Sequence, residues 1–231
     1  MKAIIFDVDG VLIDAMPFHA EAMKIAIMEE TKREIDKKII YILEGMPGTK
    51  LVKEIFKTEI KESIDDTRAE KISKRKKEIF REIQKSKVIE GAKELIDDLT
   101  TCSCLKAIVS GSTKKELETI LFENIGSSPF DVVIAGDDIE EGKPDPSPFQ
   151  IALERMNLKP YEAIIVENSP LGVEAAVNAG IKFIVTLNNT PLDIYSDFKG
   201  LISAGSNNEN NTVFKDTKSA SKFLKEWCCI K

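Results

Sequence analysis

The stretch that decides the fold of this sequence is Ala3-Ile4-Ile5-Phe6-Asp7-Val8-Asp9-Gly10. Its four consecutive apolar residues, 3–6, predict a buried strand. The glycine then breaks the pattern, so the two carboxylates lie where a strand gives way to a loop. Ligands of an open α/β sheet bind at such carboxyl ends. Asp7 and Asp9 are therefore candidate functional residues, although a solvated turn has a similar composition.

The spacing of these two acids suits paired acid chemistry. Alternate residues of an extended chain lie on the same side, so Asp7 and Asp9 can lie close together. One carboxylate can attack an electrophile while the other transfers a proton, provided that their surroundings separate their pKa values.

The overall composition is that of a soluble globular protein. The chain has 231 residues, of which 42% are hydrophobic and 31% charged, enough to bury a substantial core. The net charge of -6 provides no general attraction to nucleic acid or anionic lipid. No apolar run has membrane length, and no signal peptide is recognisable. We therefore expect a cytoplasmic monomer or small homo-oligomer with neither nucleic acid nor membrane as a partner.

The cysteines do not indicate a metal site. Cys102, Cys104, Cys228 and Cys229 lack Cys-x-x-Cys spacing, and His19 is the single histidine of the chain. A zinc site is therefore not expected. The sequence favours buried free thiols at these positions.

From residue 105 onward, predicted strands alternate with predicted helices. This alternation is typical of a parallel, doubly wound α/β sheet with right-handed crossovers. A polar stretch at 205–212 predicts a mobile loop. The predicted strands are 105–109, 131–135, 163–166 and 181–187, and the predicted helices are 91–99, 114–122, 149–156, 171–179 and 219–227.

Residues 15–87 contain no convincing strand and show helical spacing instead. Their most charged part, around Ile72 to Ile83, predicts a solvated helix face. We therefore predict two domains, an α/β core of residues 1–14 plus 88–231 and a helical domain of residues 15–87. An insertion directly after Asp7 and Asp9 is well placed to act as a lid.

Polar residues follow four of the predicted strands, and the carboxyl ends of parallel strands converge at one edge of a sheet. A phosphoryl group requires cations and N–H donors around its oxygens, and Mg²⁺ prefers oxygen ligands. Serine and the amides at a helix start can bind phosphate, lysine can neutralise it, and a further carboxylate can hold a metal-bound water. The residues are Asp7 and Asp9, then Ser110 with the backbone of Gly111 and Ser112, then Lys143, and finally Glu167 and Asn168.

These residues, in this order, resemble the signature of the haloacid dehalogenase superfamily, in the branch of phosphoglycolate phosphatase and β-phosphoglucomutase. The resemblance implies a Rossmann-like core with an inserted α-helical cap domain. It also implies Asp7 as a nucleophile that forms an aspartyl-phosphate, Asp9 as general acid/base, and Mg²⁺ as cofactor. The four matching segments are Phe6-Asp7-Val8-Asp9-Gly10-Val11, Ser110, Lys143 within Gly-Lys-Pro-Asp-Pro, and Glu167-Asn168-Ser169-Pro170-Leu171-Gly172-Val173.

On this resemblance we expect a Mg²⁺-dependent phosphatase that acts on a small phosphorylated metabolite, such as a sugar phosphate or phosphoglycolate. Asp9 favours phosphoryl transfer over dehalogenation, because dehalogenating members lack this second acid. Many relatives carry Glu-Asp where this chain has Glu167-Asn168. The neutral Asn168 is expected to weaken Mg²⁺ binding without removing the site.

A phosphohexose mutase and a non-catalytic binding protein remain as alternatives. His19 falls where mutase-like relatives have a histidine, and the Gly45–Lys50 loop resembles the substrate-specificity loop of the cap. However, Glu44 and Gly48 occupy the positions of a lysine and an arginine that are typical of β-phosphoglucomutase. The loss of those cations counts against mutase activity unless Lys50 substitutes for them.

Overall fold

The computed structural model describes residues 1–125, 129–204 and 212–229. Within these ranges six parallel strands form one sheet in the order β3-β2-β1-β4-β5-β6. The strands are β1 Lys2–Phe6, β2 Cys104–Val109, β3 Val132–Ile134, β4 Ala163–Glu167, β5 Lys182–Thr186 and β6 Thr212–Phe214.

Helices cover both faces of the sheet, as the predicted doubly wound fold requires. A π-helical turn, Phe56–Ile60, continues α3, and 3₁₀ turns lie at Gly136–Asp138 and Pro160–Glu162. The helices are α1 Met16–Thr31, α2 Lys38–Ile42, α3 Gly48–Ile55, α4 Asp66–Ile83, α5 Ala92–Leu99, α6 Lys114–Asn124, α7 Ser147–Met156, α8 Pro170–Asn178, α9 Leu201–Ala204 and α10 Thr217–Cys229.

Strand β1 runs through the middle of the core. Ala3 and Ile5 belong to one apolar cluster, whereas Ile4 and Phe6 belong to a second cluster, and all four are fully buried. Because successive side chains point to opposite faces, a strand covered on both faces needs an uninterrupted apolar run. This requirement explains the apolar stretch from which the sequence analysis began.

Helices α1 to α4 form the insertion between β1 and α5, and no strand occurs within residues 15–87. In this insertion α4 packs against both α1 and α3. The two chain segments that connect it to the core lie side by side, since the Asp14 amide donates to the Lys87 carbonyl at 2.8 Å. The predicted α/β fold with a helical insertion is confirmed, while the exact domain boundaries at 14/15 and 87/88 stay a prediction.

The predicted strands and helices of the core are present with small shifts at their ends. Strand β6 was not predicted, because its three residues, 212–214, are too short to show a period. The remainder of the predicted mobile loop, residues 205–211, lies outside the described residues. In the part of the chain that the structure describes, no helix combines the length and the apolar character needed to span a bilayer.

The prediction of buried free thiols is wrong, because two of the four cysteines form a disulfide and the two free ones, Cys102 and Cys229, are half-buried and exposed, respectively. Cys104, at the start of β2, forms a disulfide with Cys228 near the end of α10. Cys102 and Cys229 are free, and their sulfur atoms lie 2.7 Å apart. The pairing joins residues 124 positions apart, so only the folded chain brings them together.

We expect the Cys104–Cys228 disulfide to stabilise the protein by closing a long loop. Replacement of both cysteines by alanine should lower the free energy of unfolding by about 2–5 kcal/mol under oxidising conditions. Urea denaturation of the oxidised wild type and variant measures this difference. With dithiothreitol present, the two proteins should unfold at similar urea concentrations, and a difference that persists unchanged would contradict the assignment.

Candidate active site

The predicted site residues begin at the central strand of the sheet. Strand β1 pairs with β2 on one side and with β4 on the other, so Asp7, directly after β1, lies at the point where the strand order reverses. Such a switch point is where open α/β sheets bind their ligands. The Asp7 amide donates to the Val166 carbonyl of β4 at 3.0 Å, which extends the strand pairing to the base of the site.

At this edge of the sheet, Lys143 pairs with the carboxylates of both Asp7 and Glu167. Its ammonium donates to Asp7 Oδ1 at 2.5 Å and also to Glu167 Oε1. All three residues are buried, with exposed fractions of 4% for Lys143, 5% for Asp7 and 0% for Glu167. Buried charges need partners of opposite sign, and here each charge has one.

Glu167 is held by its surroundings on every side. Its second oxygen, Oε2, accepts hydrogen bonds from the amides of Asn168 at 2.9 Å and Ser169 at 3.1 Å, and from the Ser169 hydroxyl at 3.1 Å. A Cβ atom on Gly172 would lie 1.9 Å from Glu167 Oε1, so only glycine fits there. These contacts hold Glu167 as the partner that orients Lys143.

The ionisation of this group follows from burial and pairing. Burial raises the pKa of Asp7 to about 7; the Lys143 ammonium opposes this increase, and the charges of Glu167 and Asp9 add to it. Burial disfavours the Lys143 ammonium, but the Asp7 and Glu167 carboxylates together hold the pKa of that lysine well above its usual value. Lys143 therefore remains a cation.

Asp9 faces the helical insertion. Its carboxylate oxygen Oδ2 lies 3.5 Å from His19 Nε2, and His19 Nδ1 lies 2.7 Å from the Lys76 ammonium. The His19 ring also stacks on Phe80 with a centroid distance of 3.9 Å. Because an ammonium can only donate, Nδ1 is the acceptor, and the neutral ring carries its proton on Nε2, which faces Asp9.

The charges along this chain of contacts favour an ionised Asp9 beside a neutral imidazole. Burial works against the Asp9 carboxylate, but His19, Lys76 and Lys143 together hold its pKa below the usual range. Burial and the nearby Lys76 charge lower the pKa of His19. Burial also lowers the pKa of Lys76 to about 8.

Glu44 enters the same cluster from the loop between α2 and α3. Its Oε2 accepts a hydrogen bond at 3.0 Å from Asn168 Nδ2, which also donates to the Asp9 carbonyl at 3.2 Å. Burial raises the pKa of Glu44 well above its usual value, and the charges of Asp7 and Glu167 raise it further. Glu44 is thus a carboxyl group of the insertion in direct contact with a predicted metal ligand of the core.

The Ser110 segment lies beside Asp7, between β2 and α6. The Ser112 amide donates to Ser110 Oγ at 3.1 Å. Thr113 begins α6 through a capping box, in which Glu116 Oε2 accepts from the Thr113 amide at 3.1 Å. The N-cap residue of α6 is therefore Thr113 and not Ser110. Ser110, Gly111 and Ser112 instead line the cavity between the insertion and the core.

A cavity of about 260 Å³ lies between the insertion and the carboxyl edge of the sheet. It is bounded by Asp7, Asp9 and His19 and by Gly45 of the α2–α3 loop. Lys50, by contrast, is not among the residues that line it, and its ammonium pairs with Glu141 outside. The structure therefore places most of the predicted residues at one cavity. Lys143, Glu167 and Asn168 do not line it but lie behind it, where Lys143 contacts Asp7 and Glu167, and Asn168 contacts the Asp9 carbonyl. Lys50 lies outside the cavity in this conformation.

Gly45 allows the insertion to approach the core closely. Its φ is +90°, and a Cβ atom there would lie 2.7 Å from Lys143 Cδ. On the opposing side, a Cβ atom on Gly142 would lie 2.7 Å from the Gly45 carbonyl oxygen. Two glycines thus permit the α2–α3 loop to lie directly against the Lys143 segment.

The donor atoms at this edge fit a hard divalent cation. Asn168 Oδ1 and Glu44 Oε1 are buried oxygens without a hydrogen-bond partner. Among the described residues no three His, Cys, Asp or Glu side chains form a ready metal cluster, so the Asn168 amide and the Asp9 carbonyl are needed as ligands. A set of oxygen atoms that mixes carboxylate, amide and carbonyl suits Mg²⁺.

Lys76 and Phe80 are site residues that the sequence analysis missed. The charged segment of α4 was interpreted as a solvated face, yet both residues line the cavity beside His19. Their spacing of four places them on one side of the helix, and this spacing next to Ile72 and Ile79 was a usable signal. What the sequence did not indicate is that α4 turns this side toward Asp9.

Comparisons with known proteins identify the family of this chain. Residues 4–186 match the family model described as haloacid dehalogenase-like hydrolase. A phosphorylated carbohydrates phosphatase from Thermotoga maritima is 30% identical over 208 residues, which cover 89% of this chain and 92% of that protein. The chain belongs to the haloacid dehalogenase-like hydrolase family, and the prediction of this family is confirmed.

Solved structures support the same assignment. A protein from Bacteroides vulgatus, provisionally described as a β-phosphoglucomutase, superposes with a TM-score of 0.82 at 29% identity and covers 98% of this chain and 88% of its own. A hydrolase from Pseudomonas syringae has a TM-score of 0.83 at 23% identity, with 98% and 99% coverage, and so supports the fold.

We expect Lys143→Met to destabilise the protein strongly, because it leaves the Asp7 and Glu167 carboxylates buried without a counter-charge. The free energy of unfolding should fall by about 3–5 kcal/mol. Lys106→Met is a matched control, since Lys106 is also buried but its partner Asp131, 3.8 Å away, is exposed. Chemical denaturation of both variants measures the contrast, and equal losses would refute the role of Lys143.

We also expect the pKa of His19 to lie below 6.5 and to depend on Lys76. Lys76→Met should raise the pKa of His19, because removal of a neighbouring cation favours the imidazolium. Since the chain has a single histidine, ¹⁵N-resolved NMR titration reports this site alone. Lys74→Met, at an exposed position of the same helix that does not line the cavity, should leave the titration unchanged. An unaltered pKa in Lys76→Met would show that the two side chains do not interact in solution.

Proposed function

We propose that this protein is a Mg²⁺-dependent phosphatase that hydrolyses a small phosphorylated carbohydrate through an aspartyl-phosphate on Asp7. One observation carries the proposal: Lys143 holds one oxygen of a buried Asp7 carboxylate, while the other, Oδ2, has no hydrogen-bond partner. A carboxylate fixed on one side and free on the other is suited to attack.

In the first step Asp7 attacks phosphorus, so a bond between them forms while the bond from phosphorus to the leaving oxygen breaks. Lys143 keeps Asp7 in place and offsets the negative charge that the substrate brings. The Ser110 hydroxyl and the Gly111 amide bind the phosphate oxygens before α6, and the Ser112 amide, which donates to Ser110 Oγ, holds that hydroxyl group in place. The cavity formed with the insertion keeps bulk water away from the reacting groups, which strengthens these interactions.

Asp9 transfers the protons of both steps. When the negatively charged phosphate arrives, it raises the pKa of Asp9, so this carboxyl group can protonate the leaving oxygen. After the dephosphorylated product leaves, Asp9 accepts a proton from a water that attacks phosphorus; the bond from phosphorus to Asp7 breaks, and inorganic phosphate leaves. His19, with Nε2 toward Asp9, orients this carboxyl group in both roles.

The cation would be held by Asp7, the Asp9 carbonyl and Asn168. When bound, Mg²⁺ supplies positive charge that stabilises the developing charge on the phosphoryl oxygens. We expect the reaction to require this cation, because a phosphate dianion must approach several carboxylates and few cations at the site.

The preference for a carbohydrate phosphate is based on the relative from Thermotoga maritima and on the cavity. A volume of about 260 Å³ suits a small ligand. Its walls combine methionines, such as Met16 and Met23, with polar groups that can bind hydroxyls, such as Ser73. We further propose that the core and cap divide at residues 14/15 and 87/88 and that the protein works in the cytoplasm.

A mutase uses the same nucleophile but returns the phosphoryl group to the sugar. The position of Glu44 at the cavity and of Lys50 outside it gives a bisphosphate few cations to bind. We therefore rank hydrolysis above mutase activity. Isomerisation of β-glucose 1-phosphate that exceeds phosphate release would reverse this order.

Phosphate release from a panel of sugar phosphates and phosphoglycolate tests the proposal. We expect release that EDTA abolishes and that Asp7→Asn reduces at least about a thousandfold, because the nucleophile is lost. Asp14→Asn is the matched control, since Asp14 accepts a hydrogen bond from Asn189 away from the cavity. Near-normal activity of Asp7→Asn would eliminate the proposed nucleophile.

A further inference from the structure

The described site contains a carboxyl group with no role in the proposed reaction, Glu44. It lies in the loop between α2 and α3, and it reaches across to the core, where its Oε2 accepts from Asn168 Nδ2 at 3.0 Å. Its other oxygen, Oε1, is buried and has no hydrogen-bond partner. A carboxylate oxygen buried without a partner is costly, and a bound ligand would remove that cost.

Asn168, the hydrogen-bond partner of Glu44, also carries an oxygen without a hydrogen-bond partner. Its amide nitrogen is used twice, by Glu44 and by the Asp9 carbonyl, which leaves Oδ1 as the free atom. Asn168 is 2% exposed, and Oδ1 has no partner. Glu44 and Asn168 are thus in direct contact, and each carries a buried oxygen without a hydrogen-bond partner.

The charges of this cluster do not balance. Asp7, Asp9, Glu44 and Glu167 provide four carboxyl groups that interact with one another, whereas Lys143 and Lys76 provide two ammonium groups. His19 is neutral and adds none. If all carboxyl groups are ionised, the excess is that of two negative charges, which a single divalent cation neutralises.

We propose that Glu44 is a further carboxylate ligand of the cation, supplied by the insertion in place of the charge that Asn168 lacks. This inference rests on the proposed function, because it assumes that the site binds Mg²⁺. The Asn168 amide now turns Nδ2 toward Glu44 and the Asp9 carbonyl, and half a turn of the amide brings Oδ1 to that position. The amide then contributes an oxygen without a charge, and Glu44 contributes the charge. Affinity for a hard cation depends on the number of charged ligands.

The position of Glu44 in the insertion means that the cation also links the insertion to the core. Asp7 and Asn168 belong to the core, whereas Glu44 belongs to the insertion, so a cation bound by all three joins the two parts. A ligand that binds more tightly when the insertion lies against the core also shifts the protein toward that closed conformation. The cation therefore favours the arrangement in which the α2–α3 loop lies against the Lys143 segment.

The test measures the binding of Mn²⁺ in the absence of substrate. The electron paramagnetic resonance signal of the free ion reports the bound fraction, and Mg²⁺ is then added as a competitor. Glu44→Gln removes the charge but keeps an oxygen that can accept from Asn168 Nδ2. We expect it to weaken Mn²⁺ binding about ten- to a hundredfold. Glu140→Gln is the matched control, because Glu140 lines the same cavity but is exposed, and it should bind as the wild type does.

A charge exchange distinguishes a ligand from a merely structural residue. Asn168→Asp alone should tighten Mn²⁺ binding, and Glu44→Gln combined with Asn168→Asp should return the affinity close to that of the wild type. Circular dichroism of each variant confirms that it is folded. Recovery in the double variant supports the exchange of charge between positions 44 and 168.

The outcomes separate this inference from the proposed phosphatase activity. If the wild type and Glu44→Gln bind Mn²⁺ equally, the inference is overturned, whether or not phosphate is released. It is also overturned if Glu44→Gln changes only the KM for substrate. If Mn²⁺ binds in the expected order of affinities but no substrate is hydrolysed, the inference is supported and the proposed function fails. If the wild type binds no Mn²⁺ at millimolar concentration, both are overturned.

Discussion

The interaction on which the site depends is the pairing of one buried ammonium, that of Lys143, with two buried carboxylates, Asp7 and Glu167. None of these charges is stable alone in the interior, because desolvation costs several kcal/mol per ion. Each therefore requires the other two to be in place. Since the three residues come from the end of β1, from the loop before α7 and from β4, their pairing fixes three separate chain segments at one edge of the sheet. The nucleophile is held in position by the same contacts that satisfy its charge.

The insertion completes this edge from outside. His19 and Lys76 approach Asp9 from α1 and α4, and Glu44 approaches Asn168 from the α2–α3 loop. These contacts are polar, whereas each face of the sheet is covered by continuous apolar packing, and one of the two apolar clusters extends into the insertion. A part of the molecule that contacts the site through a few polar groups can respond to what binds there, because each contact depends on charge.

Much of the fold could be predicted because its signals are local. The apolar run of β1, the alternation of strands and helices, and the helical spacing of residues 15–87 each depend on neighbours in sequence. The features that were not predicted depend on contacts between residues far apart in the chain. Cys104 and Cys228 are 124 residues apart, and nothing near either one predicts their disulfide. Strand β6 is too short to show a period, and its pairing with β5 is a tertiary contact.

For the site itself, the sequence determined the chemistry of the residues that follow the strands. Asp7, Asp9, Ser110 and Lys143 could be identified because the carboxyl ends of parallel strands must converge. Only the tertiary structure decided which groups of the insertion join them. The charge of Lys76 could be read as part of a solvated helix face, and Glu44 only as a departure from a familiar pattern. Their roles depend on how α4 and the α2–α3 loop are oriented toward the core, and that orientation is set by packing between residues far apart in the chain.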